Sequence, residues 1–335
     1  MLLTGIDELA TGTRVWSDLK ALRCRLSDEI PDHDSSVTVI TTGAEMRAWV
    51  RGQRERGRRV GLVPTMGALH AGHASLVRAA RAECDDVIVT IFVNPTQFAP
   101  HEDFQRYPRT LATDLALLAA EGGGVAFVPA ATEMYPDGYS TYVEPPRVAE
   151  PLEGKFRPGH FRGVATVVLK LFLLAPADRA YFGQKDYQQT RVVREMVRDF
   201  NVPIEIQVCP TVRESDGLAM SSRNRYLSAE DRPRALSIYR GMCAARELFH
   251  AGERRGAVLR GRIVAELHES RIQDIDYIAV ADPETLLEPE LVEQQFLILV
   301  AARLGTTRLL DNLLLADSAA PGSLPSSLES TSPTI

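Results

Sequence analysis

The chain has few cysteines, almost no lysine, no excess of positive charge and no long apolar run, and each shortage excludes a class of protein. The four cysteines (Cys24, Cys84, Cys209 and Cys243) form no Cys-x-x-Cys pair and have no histidine cluster beside them. That excludes a disulfide framework and a structural zinc site, and fits free thiols in a reducing cytoplasm, where the protein is expected. With 38 Lys+Arg against 44 Asp+Glu the net charge is −6. A generic nucleic-acid binder needs a basic face to displace counterions, so no nucleic-acid partner is expected. The locally basic stretch 51–59 reads as a solvated helix end. No apolar run approaches the ~20 residues of a membrane-spanning helix. Asp7 and Glu8 stand where a secretory signal has a basic start and an apolar core, so neither membrane insertion nor export is expected. All basic residues except Lys20, Lys155, Lys170 and Lys185 are arginine. Genomic base composition explains such a bias better than selection for guanidinium chemistry, but the few positions that kept lysine are worth following.

What is present is a globular composition, 45% hydrophobic and 24% charged, which excludes disorder, collagen and coiled coil for the chain as a whole. A length of 335 residues exceeds what one hydrophobic core usually serves, so two domains are expected. Short β-branched runs at 37–41, 60–63, 87–93 and 125–128 alternate with helical periodicity at 45–56, 73–84 and 110–121. Such alternation predicts α/β architecture, with parallel strands joined by crossover helices and covered on both faces. After an irregular, Pro-rich stretch (134–158) the pattern resumes with a helix at 160–174, a strand at 179–182, a helix at 186–200 and a strand at 204–208. Beyond Asn224 the character changes. Two helices (229–251 and 256–270) precede strands at 276–280, 296–301 and 307–315, which reads as a smaller α+β unit. Within 1–35, Trp16, Leu19, Leu22 and Leu26 suggest one short amphipathic helix, followed by a linker at 30–36. The Ser/Pro-rich tail at 318–335 has no apolar periodicity and is expected to be disordered.

The first strong chemical signal is Val60-Gly-Leu-Val-Pro-Thr-Met-Gly-Ala-Leu-His-Ala-Gly-His73. An apolar strand runs into a Pro/Gly loop and then into a helix opening near Gly72. Free backbone N–H groups and the positive dipole end at a helix N-terminus favour phosphate. Gly72 lets a ligand approach the backbone, and His70 and His73, three apart, can face the same side. The Gly-Lys-Ser/Thr ending of a Walker loop is missing. A histidine pair alone is more often structural than catalytic, and no third ligand stands nearby for zinc. Placement after a strand, at the sheet edge where open α/β folds bind ligands, gives the pair its weight.

This segment resembles the HIGH-type signature of nucleotidylyl transferases and class I aminoacyl-tRNA synthetases. The longer string Pro64-Thr-Met-Gly-Ala-Leu-His-Ala-Gly-His73 is similar, within that superfamily, to the pantothenate synthetase (pantoate–β-alanine ligase) family. Five further segments agree in order and spacing: Ile91-Phe-Val-Asn-Pro-Thr-Gln-Phe98, Arg106-Tyr-Pro-Arg-Thr110, Gly159-His-Phe-Arg-Gly-Val164, Tyr181-Phe-Gly-Gln-Lys-Asp-Tyr-Gln-Gln189 and Met220-Ser-Ser-Arg-Asn-Arg225. The resemblance covers about 37–315. It implies a Rossmann-like doubly wound parallel sheet binding ATP and pantoate (36–211), a smaller C-terminal α+β lid domain (212–317), an N-terminal extension (1–35) outside the catalytic unit and the tail at 318–335. It also implies a homodimer.

The family reaction joins pantoate to β-alanine through a pantoyl-adenylate, releasing pyrophosphate and then AMP. The resemblance places ATP against Met66, Gly67, Ala68, Leu69, His70, Ala71, Gly72 and His73, and against Gly183, Gln184, Lys185 and Asp186. Val212 is expected beside the adenine, and Met220, Ser221, Ser222 and Arg223 at the leaving pyrophosphate. His70, His73, Lys185, Ser221, Ser222 and Arg223 are the expected catalytic set. Lys185, one of the four lysines, would act as a mobile point charge on a phosphate. Gln97 and Gln189 resemble the pantoate-binding amides, and Asn94 is expected with them at the substrate, though before Pro95 it could equally be a turn former. His160 and Arg162 receive only a supporting role. Some relatives carry an Asp-Asp pair and a Gln near a metal after the Tyr-Pro-Arg segment, but here Thr113 and Leu117 leave only Asp114. Mg²⁺ is expected with ATP, held mainly by phosphate. Pantoate is already ionised, so adenylation needs no general base, in keeping with the lack of a Ser/His/Asp or Cys/His arrangement. Two alternatives stay open: a HIGH-signature transferase with a phosphate acceptor, and a non-catalytic nucleotide-binding homologue.

Overall fold

The computed structural model describes residues 37–316 apart from 101. The helix and linker expected within 1–36 and the tail at 318–335 lie outside the described residues. The first strand, β1 (Val37–Ile40), leads through the helix α1 (Gly43–Glu55), capped where Thr42 Oγ1 accepts from the Glu45 N–H at 3.3 Å. Then follow β2 (Val60–Thr65), α2 (Ala71–Glu83), β3 (Asp86–Ile91), α3 (Leu111–Ala120) and β4 (Gly124–Phe127). The second half of the sheet is built by α4 (His160–Leu174), β5 (Arg179–Gly183), α5 (Tyr187–Asp199) and β6 (Glu205–Cys209). These bounds match the periodicity to within a few residues. Two short helical turns, Ala131–Met134 at the start of the irregular stretch and Glu153–Phe156 near its end, are each too short to show a period.

All pairings in this sheet are parallel, and the strand order is β1-β4-β3-β2-β5-β6. The central strands are buried on both faces, which is why β2 and β3 read as continuous apolar runs. The order reverses between β2 and β5, the switch point where open α/β sheets form a crevice. The crevice has a local cause. The β2–β5 ladder pairs only Gly61 with Arg179 and Leu62 with Ala180, so the carboxyl ends of the two strands part. Pro64, which has no N–H to donate, stands beyond the last of these pairs.

The chain then forms α6 (Asp231–His250), α7 (Gly256–Glu269) and an antiparallel meander of β7 (Ile275–Ala281), β8 (Gln295–Leu304) and β9 (Thr307–Ala316). Alternation along these strands supplies two apolar faces. Ile278, Val280, Ile298 and Val300 pack with Met242, Phe249, Leu259 and Ile263 of the two helices. Ala279, Ala281, Leu297 and Leu299 join the core that contains Val192 and Phe172 from the first half. The small sheet thus has its own core on one side and shares the large core on the other. This keeps β9 within reach of the β5 end.

Candidate functional site

Beyond Thr65 the chain turns through two consecutive left-handed residues, Gly67 (φ 80°) and Ala68 (φ 51°). Thr65 Oγ1 donates to Thr90 O at 2.6 Å and accepts from the Gly67 N–H at 3.1 Å. The buried Asp114, near the start of α3, accepts from the N–H groups of Ala68 (3.0 Å) and Leu69 (2.9 Å) and from Thr110 Oγ1 (3.1 Å). An L-residue in the left-handed region costs about 1–2 kcal/mol, and these charge-assisted bonds offset it. Asp114 is the residue named above as the candidate metal ligand. Its oxygens are taken by the loop and it does not line the cavity. Among the described residues no three His, Cys, Asp or Glu side chains gather where a metal ion could sit.

The loop delivers His70 as the N-cap of α2. His70 Nδ1 accepts from the Gly72 N–H at 3.1 Å, and His73 Nδ1 accepts from the His70 N–H at 3.3 Å. Both Nδ1 atoms therefore lack a proton, and each neutral ring carries it on Nε2. Burial, then the Lys185 charge, pushes His70 down to about 4; burial, then the adjacent His70, pushes His73 down to about 3. At neutral pH the pair is an uncharged double donor, with ring centroids 4.1 Å apart.

Opposite stands the turn Gln184–Asp186, after β5. Asn312 of β9 holds it, Nδ2 donating to Gln184 O at 2.9 Å and Lys185 O at 2.8 Å. The Lys185 ammonium touches only its neighbour Asp186, at 3.5 Å, among the described residues. A Cβ at Gly183 would meet no protein atom, so that side is open space. The third wall runs from Pro210 to Val212 and from Met220 to Arg223. The Met220 N–H donates to Val212 O at 2.9 Å, and Met220 Cβ stands 3.6 Å from where a Gly72 Cβ would be. The Arg223 N–H donates to Ser221 Oγ at 3.3 Å, and the Ser222 hydroxyl meets Tyr107 OH at 3.2 Å.

The far end carries the amides. Gln97 Nε2 reaches Met66 Sδ at 3.2 Å, and Gln97 Oε1 accepts from Asn94 Nδ2 at 3.0 Å. Asn94 is fully buried: Nδ2 also donates to Gly163 O at 3.2 Å, while Oδ1 accepts from Tyr135 OH at 2.7 Å and from Thr96. It is both turn former and clamp on Gln97. Gly163 makes that approach possible, since a Cβ there would lie 2.3 Å from Thr96 O. His160 Nδ1 meets Gln97 O at 2.9 Å, and burial, then Arg157, lowers its pKa to about 4. Gln189, in the first turn of α5, lines the same cavity with its side-chain amide unpaired among the described residues. Arg162 points elsewhere, its guanidinium 4.0 Å from the Tyr142 ring centroid.

One cavity of about 250 Å³ collects Met66, His70, His73, Gln97, Lys185, Gln189, Val212 and Met220–Arg223. It also holds residues the sequence reading missed. Glu153 accepts from Tyr277 OH at 2.8 Å and from Arg308 at 2.7 and 2.8 Å, and Arg157 pairs with Glu102 at 2.6 and 2.7 Å. Burial would raise the Glu153 carboxyl, but Arg308 and Arg157 hold it below the usual range. Apart from the i,i+4 pair of Glu153 and Arg157 at 3.5 Å, their partners are 55 to 155 residues away, so no local pattern announces the network. Asp311-Asn312 had a readable signal: two polar residues that interrupt the apolar run from Leu309 to Leu315.

The family profile described as pantoate–β-alanine ligase matches residues 38–314. Pantothenate synthetase of Roseiflexus sp. (strain RS-1) is 55% identical over 280 residues, 83% of this chain and 99% of the relative. The Moorella thermoacetica pantothenate synthetase is 53% identical over 277 residues, 83% and 98% of the two chains. Among solved structures, the Thermus thermophilus enzyme superposes with a TM-score of 0.79 at 47% identity, covering 83% of this chain and 99% of the other. The Francisella tularensis pantoate–β-alanine ligase, solved with β,γ-ATP and β-alanine, gives 0.68 at 36% identity, covering 83% and 97%. With its histidine pair, lysine turn and amide end in one crevice, the chain belongs to the pantoate–β-alanine ligase family.

Proposed function

We propose that the cavity condenses pantoate with β-alanine at the expense of ATP, with the residue roles that follow. The observation that carries this reading is the convergence of two neutral histidines, Lys185, Arg223, Gln97 and Gln189 on one cavity. In the first step the pantoate carboxylate attacks the α-phosphorus. An O–P bond forms, the bond to the β-phosphate oxygen breaks, and pyrophosphate leaves with the electron pair. The Nε2–H groups of His70 and His73 and the Lys185 ammonium stabilise negative charge on the phosphoryl oxygens, while Ser221, Ser222 and Arg223 receive the pyrophosphate. Gln97 and Gln189, each both donor and acceptor, orient the pantoate hydroxyls and carboxylate.

In the second step the β-alanine amine attacks the acyl carbon, and AMP leaves with the electrons of the C–O bond. The histidines hold hydrogen on Nε2 and a backbone donor on Nδ1. Neither is set to take the amine proton, which leaves by the adenylate phosphate or water. Mg²⁺ bound to ATP would offset phosphate charge; with the Asp114 oxygens engaged by the loop, it would be held mainly by phosphate. Residues 36–211 act as the ATP- and pantoate-binding part and 212–317 as a lid. The lid reading is supported by the loop at Met220, which crosses over the start of α2. A homodimer serving coenzyme A synthesis follows from the family resemblance alone, a cytoplasmic location from the scattered free thiols, and sedimentation of the purified protein tests the dimer.

Pyrophosphate release with ATP and pantoate, followed by AMP release on adding β-alanine, tests the reaction. Release only with a phosphorylated acceptor would favour another transferase of the same signature.

A further inference from the structure

Arg223, the cation of the third wall, is already engaged. Its Nε and Nη2 donate to the two carboxylate oxygens of Asp103, each at 2.9 Å. Asp103 starts a turn between β3 and α3, and its neighbours tie the same two segments again: Tyr107 OH meets Ser222 Oγ at 3.2 Å, and Tyr226 OH donates to Arg106 O at 3.0 Å. Three ties make this a built seam. A carboxylate beside a triphosphate site has the wrong sign for bulk attraction, so its benefit must be geometric. The planar fork of a guanidinium, once docked along one edge, has its other edge fixed. Arg223 Nη1 has no partner among the described residues, and Arg223 lines the cavity.

We propose that Asp103 is a positioning residue for ATP cleavage: by docking the Nε/Nη2 edge of Arg223 it aims the Nη1 edge at the pyrophosphate moiety. This rests on the reading of Arg223 as the pyrophosphate ligand. The test compares the intact protein with Asp103→Ala, Asp103→Asn, Arg223→Ala and Asp103→Ala/Arg223→Ala. Four quantities are measured: the ATP KM, the pyrophosphate inhibition constant, the β-alanine KM and the thermal midpoint. Asp103→Ala raises the first two on the order of tenfold, as loss of a charged hydrogen-bond partner does, and leaves the β-alanine KM within about twofold. Asp103→Asn, which keeps one acceptor oxygen, falls between. In the Arg223→Ala background, removing Asp103 adds less than about twofold.

Unchanged ATP and pyrophosphate constants in Asp103→Ala would overturn the proposal. So would lower ones, which mark a latch that ATP has to break, or an undiminished effect without Arg223. Where Asp103→Ala does not fold, Asp103→Asn decides by the same two constants. If Arg223→Ala itself leaves pyrophosphate inhibition unchanged, the premise about Arg223 fails, and that result is separable from a failure of Asp103 alone.

Discussion

Replacing Asp114 by asparagine separates a loop-holding carboxylate from a metal ligand at the same position. In the fold the carboxylate accepts from Ala68 N–H at 3.0 Å, Leu69 N–H at 2.9 Å and Thr110 Oγ1 at 3.1 Å, at 1% exposure. Asparagine retains a single acceptor oxygen, and its NH₂ group would face a backbone donor. One buried N–H then goes unsatisfied, at about 1–3 kcal/mol, and the surviving bond loses its charge assistance. The left-handed Ala68, whose strain of about 1–2 kcal/mol is present in either protein, is then held less firmly, which favours relaxation of the loop. If the loop holds its shape, stability falls by about 1–3 kcal/mol on these terms. If it relaxes instead, the stability loss shrinks, but His70 moves. A displacement near 1 Å at a reacting centre costs roughly 100-fold in rate. Urea denaturation and pantoate-dependent pyrophosphate release, read together, cover both cases. Wild-type stability and wild-type rate together would refute the reasoning. Recovery of the lost rate by excess Mg²⁺ would restore the metal-ligand reading.

The depressed histidine pKa values give a signed pH dependence. The reference value is 6.5, and His70 and His73 titrate in the fold at about 4 and about 3. Between these limits the unfolded chain binds protons that the fold refuses, so stability falls as pH drops from about 6.5 towards 4 and is complete above that window. His73→Gln is expected to flatten this dependence in denaturation curves across pH 4–6.5; an unaltered slope would contradict the burial of a neutral ring. Lys185→Arg keeps the charge but replaces a compact ammonium by a planar fork. The ATP kcat/KM is expected to fall at least about tenfold, and full activity would reduce the retained lysine to base-composition chance.

Much of the architecture was legible because its signals are local. Helix α4 was placed at both ends by apolar spacing, and β2 and β3 by β-branched runs that parallel burial requires. The histidines, Lys185 and Arg223 stood in strings whose order carried the family. Asp114 was not legible: a carboxylate in the first turn of a helix suits the dipole, a metal or a distant loop equally well. Only folding brings it to Ala68 and Leu69, 46 and 45 residues away. The same holds for Asn94, whose buried clamp on Gln97 depends on Gly163 and Tyr135 from other elements. The early parting of β2 from β5 is likewise invisible in either strand alone.

The central claim is that the neutral histidine pair serves adenylation and takes no part as base in amide formation. Single-turnover measurement of His73→Ala tests it directly, once with ATP and pantoate and once with supplied pantoyl-adenylate and β-alanine. Pyrophosphate release is expected to collapse while supplied adenylate is converted at the wild-type rate. Equal loss in both half-reactions, or adenylation that survives, would contradict it.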